Sequence, residues 1–164
     1  MPSTTSRVLA SLVLVLLLLA FHSRPSLGTE PATEWLDPDL RAALDRATAD
    51  AAESGLRIEV TSGWRSRAHQ QRLLDEAVAR YGSRAEAARW VATPDTAPHV
   101  SGDAVDLGPA AARSWLAEHG ARYGLCRVYA NEPWHFELRP DAVRHGCPRP
   151  YADPTQDPRM GGGP

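Results

Sequence analysis

Apolar and polar positions change rhythm several times along this chain, and each change marks an element. Leu36, Leu40, Leu44, Ala47 and Ala51 recur at helical spacing. Asp37-Pro38 supplies an N-cap and a proline at the first helical position, and Gly55 is the stop. Residues 57–61 alternate instead, with Ile58 and Val60 on one face, which predicts a strand ending at Ser62-Gly63. Ser66 caps a second helix whose apolar face is Leu73, Leu74, Ala77, Val78 and Tyr81, closed by Gly82. Ser83 and Glu86 form a capping box for a short third helix through about Val91. Residues 92–102 lack periodicity and hold Pro94 and Pro98, so they read as a loop. A short strand follows at 103–107, and after the break at Gly108-Pro109 a helix carries Ala112, Trp115 and Leu116 inward as far as Gly120. Residues 125–129 and 134–138 read as two further strands. Helices followed by a small, mainly antiparallel sheet make an α+β domain.

Both ends depart from this pattern. Arg7 precedes an apolar run, Val8 to Phe21, interrupted only by Ser11. Its 14 residues fall short of the roughly 20 a spanning helix needs but suit a signal-peptide core. Small residues at Ser26-Leu27-Gly28 place cleavage near Gly28, with an uncleaved amino-terminal anchor as the alternative. The expected organisation is a signal peptide at 1–28, a folded domain at 29–147 and a flexible tail at 148–164. That tail holds Pro148, Pro150, Pro154, Pro158 and a terminal Gly-Gly-Gly-Pro, too little apolar surface to fold by itself.

Charge narrows the partners. Removing Arg7 and Arg24 leaves 16 basic against 20 acidic residues, a formal charge of −4. Such a chain has no basic surplus to draw it to nucleic acid or to an anionic membrane, and no interface segment stands out, so a monomer is expected. Cys126 and Cys147 most simply form one disulfide in an exported chain. Closing that loop stabilises the fold by roughly 3 kcal/mol in the chain-entropy account.

Three stretches put polar residues where a plain core would not. They are Ser62-Gly63-Trp64-Arg65-Ser66, residues 99–106 from His99 to Asp106, and Glu132-Pro133-Trp134-His135. On the last strand Trp134, Phe136 and Leu138 share one face, so His135 and Glu137 point to the other. On the preceding strand Ala104 and Asp106 share a face while Val105 turns to the core. His99, Asp106 and His135 therefore form a candidate zinc set, with a fourth position left for water. Glu132, three residues before His135, is placed to act as general base toward that water and then as acid toward the leaving amine. Arg65 is always charged and suits an oxyanion or a substrate carboxylate. Each piece alone is common; the three together are not.

In that order the motifs SGWRS, HxxGxAxD and ExWH resemble the D-alanyl-D-alanine carboxypeptidase family of zinc peptidases, which includes the VanY and VanX types. The resemblance covers about residues 36–147. It implies the peptidase fold shared with the zinc domain of Hedgehog proteins. By motif it assigns zinc to His99, Asp106 and His135, acid–base work to Glu132 and substrate orientation to Arg65. Gln70 falls where the family often has a glutamine. The implied substrate is the stem peptide of bacterial peptidoglycan, cut outside the cytoplasmic membrane before a terminal D-alanine. One departure matters: the family commonly has a serine where this chain has Ala97, leaving the adjacent Thr96 as the candidate hydroxyl for the substrate carboxylate. An endopeptidase of the same family, and a zinc-containing wall-binding module without activity, are the rival readings.

Overall fold

A computed structural model describes residues 33–161. The expected signal peptide lies outside the described residues, as do residues 162–164. The first helix, α1 (Pro38–Glu53), begins where Asp37 accepts hydrogen bonds from the Asp39 and Leu40 amides. It buries Leu40, Ala43, Leu44, Ala47 and Ala51, the stripe its spacing predicts. After β1 (Glu59–Ser62), Ser66 caps α2 (Arg67–Tyr81) by accepting from the His69 amide. There follow α3 (Arg84–Ala87), α4 (Pro98–Ser101), β2 (Ala104–Gly108), α5 (Ala110–His119), β3 (Leu125–Arg127), β4 (His135–Leu138) and α6 (Ala142–His145).

The four strands form one antiparallel sheet in the order β1-β2-β4-β3. Its register decides what faces what. Val105 pairs with Phe136, Asp106 with His135, and Ala104 with Glu137. Across β3 and β4, Cys126 stands opposite Glu137. Val105, Leu107, Leu125 and Phe136 enter the main core with Leu40 and Leu44 of α1 and Leu116 of α5. Each such side chain contributes about 1.5–3 kcal/mol on burial. The opposite face carries Asp106, His135 and Glu137, all buried. The α+β architecture expected from the patterning is the one observed.

Several local readings need correction. Residues 92–102 are not all loop: His99 sits on a one-turn helix, α4, started by Pro98 at its first position. Gly102 ends that turn at φ +86°, and a Cβ there would fall 2.4 Å from the Trp35 carbonyl oxygen, so only glycine fits. The helix after Ser83 stops at Ala87 rather than near Val91. The last two strands are shorter than their apolar runs: Trp134 lies outside β4, in a turn closed by the His135 amide donating to the Glu132 carbonyl at 3.1 Å.

The stretch after Cys147, expected to stand free, packs onto the domain as far as the described residues run. The Tyr151 amide donates to Val128 O at 2.9 Å, and the Ala130 amide to Tyr151 O at 2.8 Å. Asp153 and Asp157 then cap two short 3-10 turns, Pro154–Gln156 and Pro158–Met160. Its composition forbids a core of its own, but backbone pairing and two buried aspartates do not require one. Cys126 and Cys147 are joined in a disulfide at the root of this segment. Among the described residues no helix is long and apolar enough to cross a membrane.

Candidate metal centre and active site

Antiparallel register puts Asp106 and His135 directly opposite each other, and α4 lowers His99 onto the pair. The three donor atoms form a nearly equilateral triangle. His99 Nε2 lies 3.3 Å from His135 Nδ1 and 3.3 Å from Asp106 Oδ1, and His135 Nδ1 lies 3.4 Å from the same oxygen. Ligand atoms about 2.0–2.1 Å from a tetrahedral ion are separated by about 3.3–3.4 Å, so the donor set has the spacing a four-coordinate divalent ion requires.

The protons are arranged to match. His99 Nδ1 donates to the Gly63 carbonyl at 2.7 Å, which leaves the Nε2 lone pair aimed at the centre. His135 Nε2 donates to Glu137 Oε1 at 3.1 Å, which frees Nδ1 in the same way. Asp106 Oδ1 is buried with no hydrogen-bond donor, while Oδ2 accepts from Arg65 Nη2 at 2.6 Å. A buried, unsatisfied carboxylate oxygen between two imidazole lone pairs is costly unless a cation lies among them.

The electrostatics say the same. Burial pushes His99 below the usual imidazole range. Burial would also raise Asp106, but His135, His99 and Arg65 together hold it well below the usual carboxylate range. For His135 burial is again the largest single influence and opposes charge, yet Asp106 and Glu137 outweigh it and lift the ring to about 9.

Glu132 reaches this centre from the tight turn before β4. Its Oε2 lies 3.8 Å from His135 Nδ1, and its Oε1 is buried without a partner. Burial pushes its pKa up to about 7. Glu132, His99, Asp106 and His135 line a cleft of about 220 Å³, together with Arg65, Gln70, Tyr129 and Trp134. Arg65 is held on three sides: Nε donates to Ser62 Oγ at 2.9 Å, Nη1 to Gln70 Oε1 at 3.4 Å, and Nη2 to Asp106. Gln70 is itself anchored by donating to Ala92 O at 2.9 Å. Trp64 turns away from the cleft and donates to Val100 O at 3.1 Å, bracing the segment that bears His99.

A profile of the family described as VanY, D-alanyl-D-alanine carboxypeptidase, matches residues 33–141. This chain belongs to the VanY family. A D-alanyl-D-alanine carboxypeptidase of Enterococcus faecalis is 35% identical over an alignment of 126 positions that covers 62% of this chain and 46% of that protein. The chain therefore spans about half the length of the curated relative it matches. A solved structure of a variant of the D,D-pentapeptidase VanY from a VanB-type resistance cassette, in complex with Zn(II), is similar with a TM-score of 0.61 at 28% identity. That match covers 68% of this chain and 80% of the other. The L,D-carboxypeptidase DacB of Streptococcus pneumoniae is similar with a TM-score of 0.55 at 26% identity, over 71% and 73% of the two chains. The resemblance stated from the three motifs is thus the right family, and its small antiparallel sheet with helices is the fold found.

His99, Asp106, His135, Glu132, Arg65 and Gln70 all line this one cleft. Thr96 does not: it is not among the residues lining the cleft, and its hydroxyl pairs with that of Thr93 at 3.0 Å. Other groups at the site were assigned no role. Glu137 shares the face of His135 by strand alternation, a signal that was available but was given no role. Tyr129 packs its ring 5.1 Å from that of His135, and its hydroxyl donates to Asp157 at 3.0 Å. Arg159 reaches Glu137 from 22 residues away, and nothing in the local pattern announces it.

Proposed function

We propose that this chain is an extracytoplasmic zinc-dependent D-alanyl-D-alanine carboxypeptidase acting on peptidoglycan stem peptides. One observation carries the reading: three buried donors at tetrahedral spacing, with Glu132, one of whose carboxylate oxygens has no partner, lining the same cleft. His99, Asp106 and His135 would hold the zinc ion, and two neutral imidazoles with one carboxylate suit that metal. When bound, zinc supplies Lewis acidity that polarises the scissile carbonyl and eases deprotonation of water.

The chain's own groups do the rest. Glu132 takes a proton from the attacking water and delivers it to the leaving amine nitrogen. A pKa near 7 suits it to both transfers, since a group poised at the working pH exchanges its proton with least penalty. Arg65, fixed by Ser62 and Gln70, presents a permanent charge to the substrate's terminal carboxylate or to the developing oxyanion. Trp134 and Tyr129 form part of the cleft wall. A disulfide and the sequence pattern of residues 1–28 support action outside the cytoplasm.

The test is release of D-alanine from an acyl-D-Ala-D-Ala peptide, with bound zinc measured alongside. Glu132→Gln should keep the metal and lose turnover, whereas His99→Ala should lose both. Undiminished turnover in Glu132→Gln overturns the assignment. A protein that retains zinc and pelleted with sacculi but cleaved nothing would be a binding module instead.

Ala97 and the engaged Thr96 hydroxyl favour one variant of this reading, cleavage within the stem or cross-bridge. Neither residue offers the cleft a hydroxyl for a terminal carboxylate, so Arg65 would bear that recognition alone. Mass analysis of peptidoglycan digests separates the two, because an endopeptidase leaves no free D-alanine.

A further inference from the structure

The family's domain is matched only to residue 141, yet two parts of the site are held from beyond it. The first is His135. Its Nε2 donates to Glu137 Oε1, and Glu137 is gripped in turn by Arg159, with Nη1 at 2.7 Å from Oε2 and Nη2 at 3.2 Å from Oε1. Arg159 is anchored by buried Asp157, which also accepts from the Tyr129 hydroxyl. Glu137 is 2% exposed, and a carboxylate so deeply buried needs its cationic partners to stay ionised.

The second part is the segment that ends in Glu132. Val128, Ala130 and Asn131 pair through their backbones with Tyr151 and Ala152, with the Asn131 amide donating to Ala152 O at 3.3 Å. Arg89 ties the same strap to the domain through Asp153, at 3.1 Å. Pro154 and Met160 from this strap also line the cleft. Residues 148–161 therefore touch the support of a metal-binding histidine, the approach to the acid–base glutamate, and the cleft wall.

We infer that residues 148–161 are a working part of the active site, and that Arg159 is a positioning residue which orients His135 through Glu137. Glu137, immobilised by Arg159, accepts from His135 Nε2 and so turns the Nδ1 lone pair toward the metal position. Arg139 also reaches Glu137 Oε2, at 3.0 Å, but only Arg159 spans both carboxylate oxygens. Arg159 does not line the cleft, so it acts without touching substrate. This inference rests on the zinc reading above.

The experiment compares full-length wild type with Arg159→Ala, Arg159→Lys and the surface control Arg144→Ala. Zinc affinity is read by chelator competition, the melting temperature of metal-free protein separately, and kcat and KM on the peptide. Arg159→Ala should weaken zinc binding by about 10- to 100-fold and lower kcat with KM little changed. Arg159→Lys, which keeps charge without the fork, should recover part of the zinc affinity, and Arg144→Ala should match wild type. Zinc affinity unchanged in Arg159→Ala, with only the melting temperature lowered, overturns the positioning role and leaves the metal site standing. Should Arg159→Ala not fold, Arg159→Lys and Asp157→Asn decide: wild-type zinc affinity and kcat in both contradict the inference. Wild-type protein that binds no zinc overturns the zinc reading as well.

Discussion

The two faces of one sheet are built to opposite ends. On β2 and β4, Val105 and Phe136 face one way into an apolar core, while Asp106 and His135, their immediate neighbours, face the other. Both faces are buried, so exposure does not distinguish them. What distinguishes them is satisfaction. The apolar face gains free energy with every group it hides, whereas the polar face hides an Asp106 oxygen without a donor, beside a turn in which burial holds Glu132 near 7. A sheet alternates with period two, so the chain can fix a reactive residue by packing its neighbour, and the stability of one face offsets the cost of burying polar groups on the other.

Substitutions should therefore separate by face. The largest effect is expected at Glu132. Glu132→Gln should reduce kcat by about 100- to 10,000-fold, the range of general acid–base catalysis, with no loss of melting temperature. An equal fall in stability would mean that the glutamate is a structural group. Phe136→Ala, one residue from His135, should do the reverse. It should destabilise the fold by about 3–5 kcal/mol in denaturant titration, while the protein that remains folded still binds zinc. A smaller effect is expected at the edge. Cys126 sits on β3 opposite Glu137, and its disulfide roots the strap of residues 148–161. Replacing both cysteines by serine should cost about 3 kcal/mol, read from the denaturation midpoint, with zinc still bound by the folded fraction.

How much of this was legible in the sequence follows from how far each interaction reaches. Val105 beside Asp106 and Phe136 beside His135 announce two-faced strands, and helical spacing marks α1 and α2 nearly to their ends. Asp37, Ser66 and Gly82 supply the boundary signals directly. The position of His99 on a helical turn was less plain, because one turn is too short for periodicity and only Pro98 and Gly102 mark it. Thr96 was misjudged because a hydroxyl's direction depends on its partner, here Thr93, and not on its place beside a motif. The strap was invisible for a deeper reason. A proline-rich segment with few apolar residues cannot form a core, and that argument is sound as far as it goes. It overlooks backbone pairing with residues 128–131 and the Arg159, Asp157 and Glu137 network, which link distant parts of the chain and leave no local pattern.

X-ray absorption on the zinc-loaded, full-length protein tests the central claim most directly, because it counts the ligands without reference to activity. The account predicts a four-coordinate ion with two imidazole nitrogens and oxygen ligands, all at about 2.0–2.2 Å, and one imidazole fewer at any residual site in His99→Ala. A six-coordinate oxygen shell, or a wild-type spectrum without imidazole scattering, would contradict it.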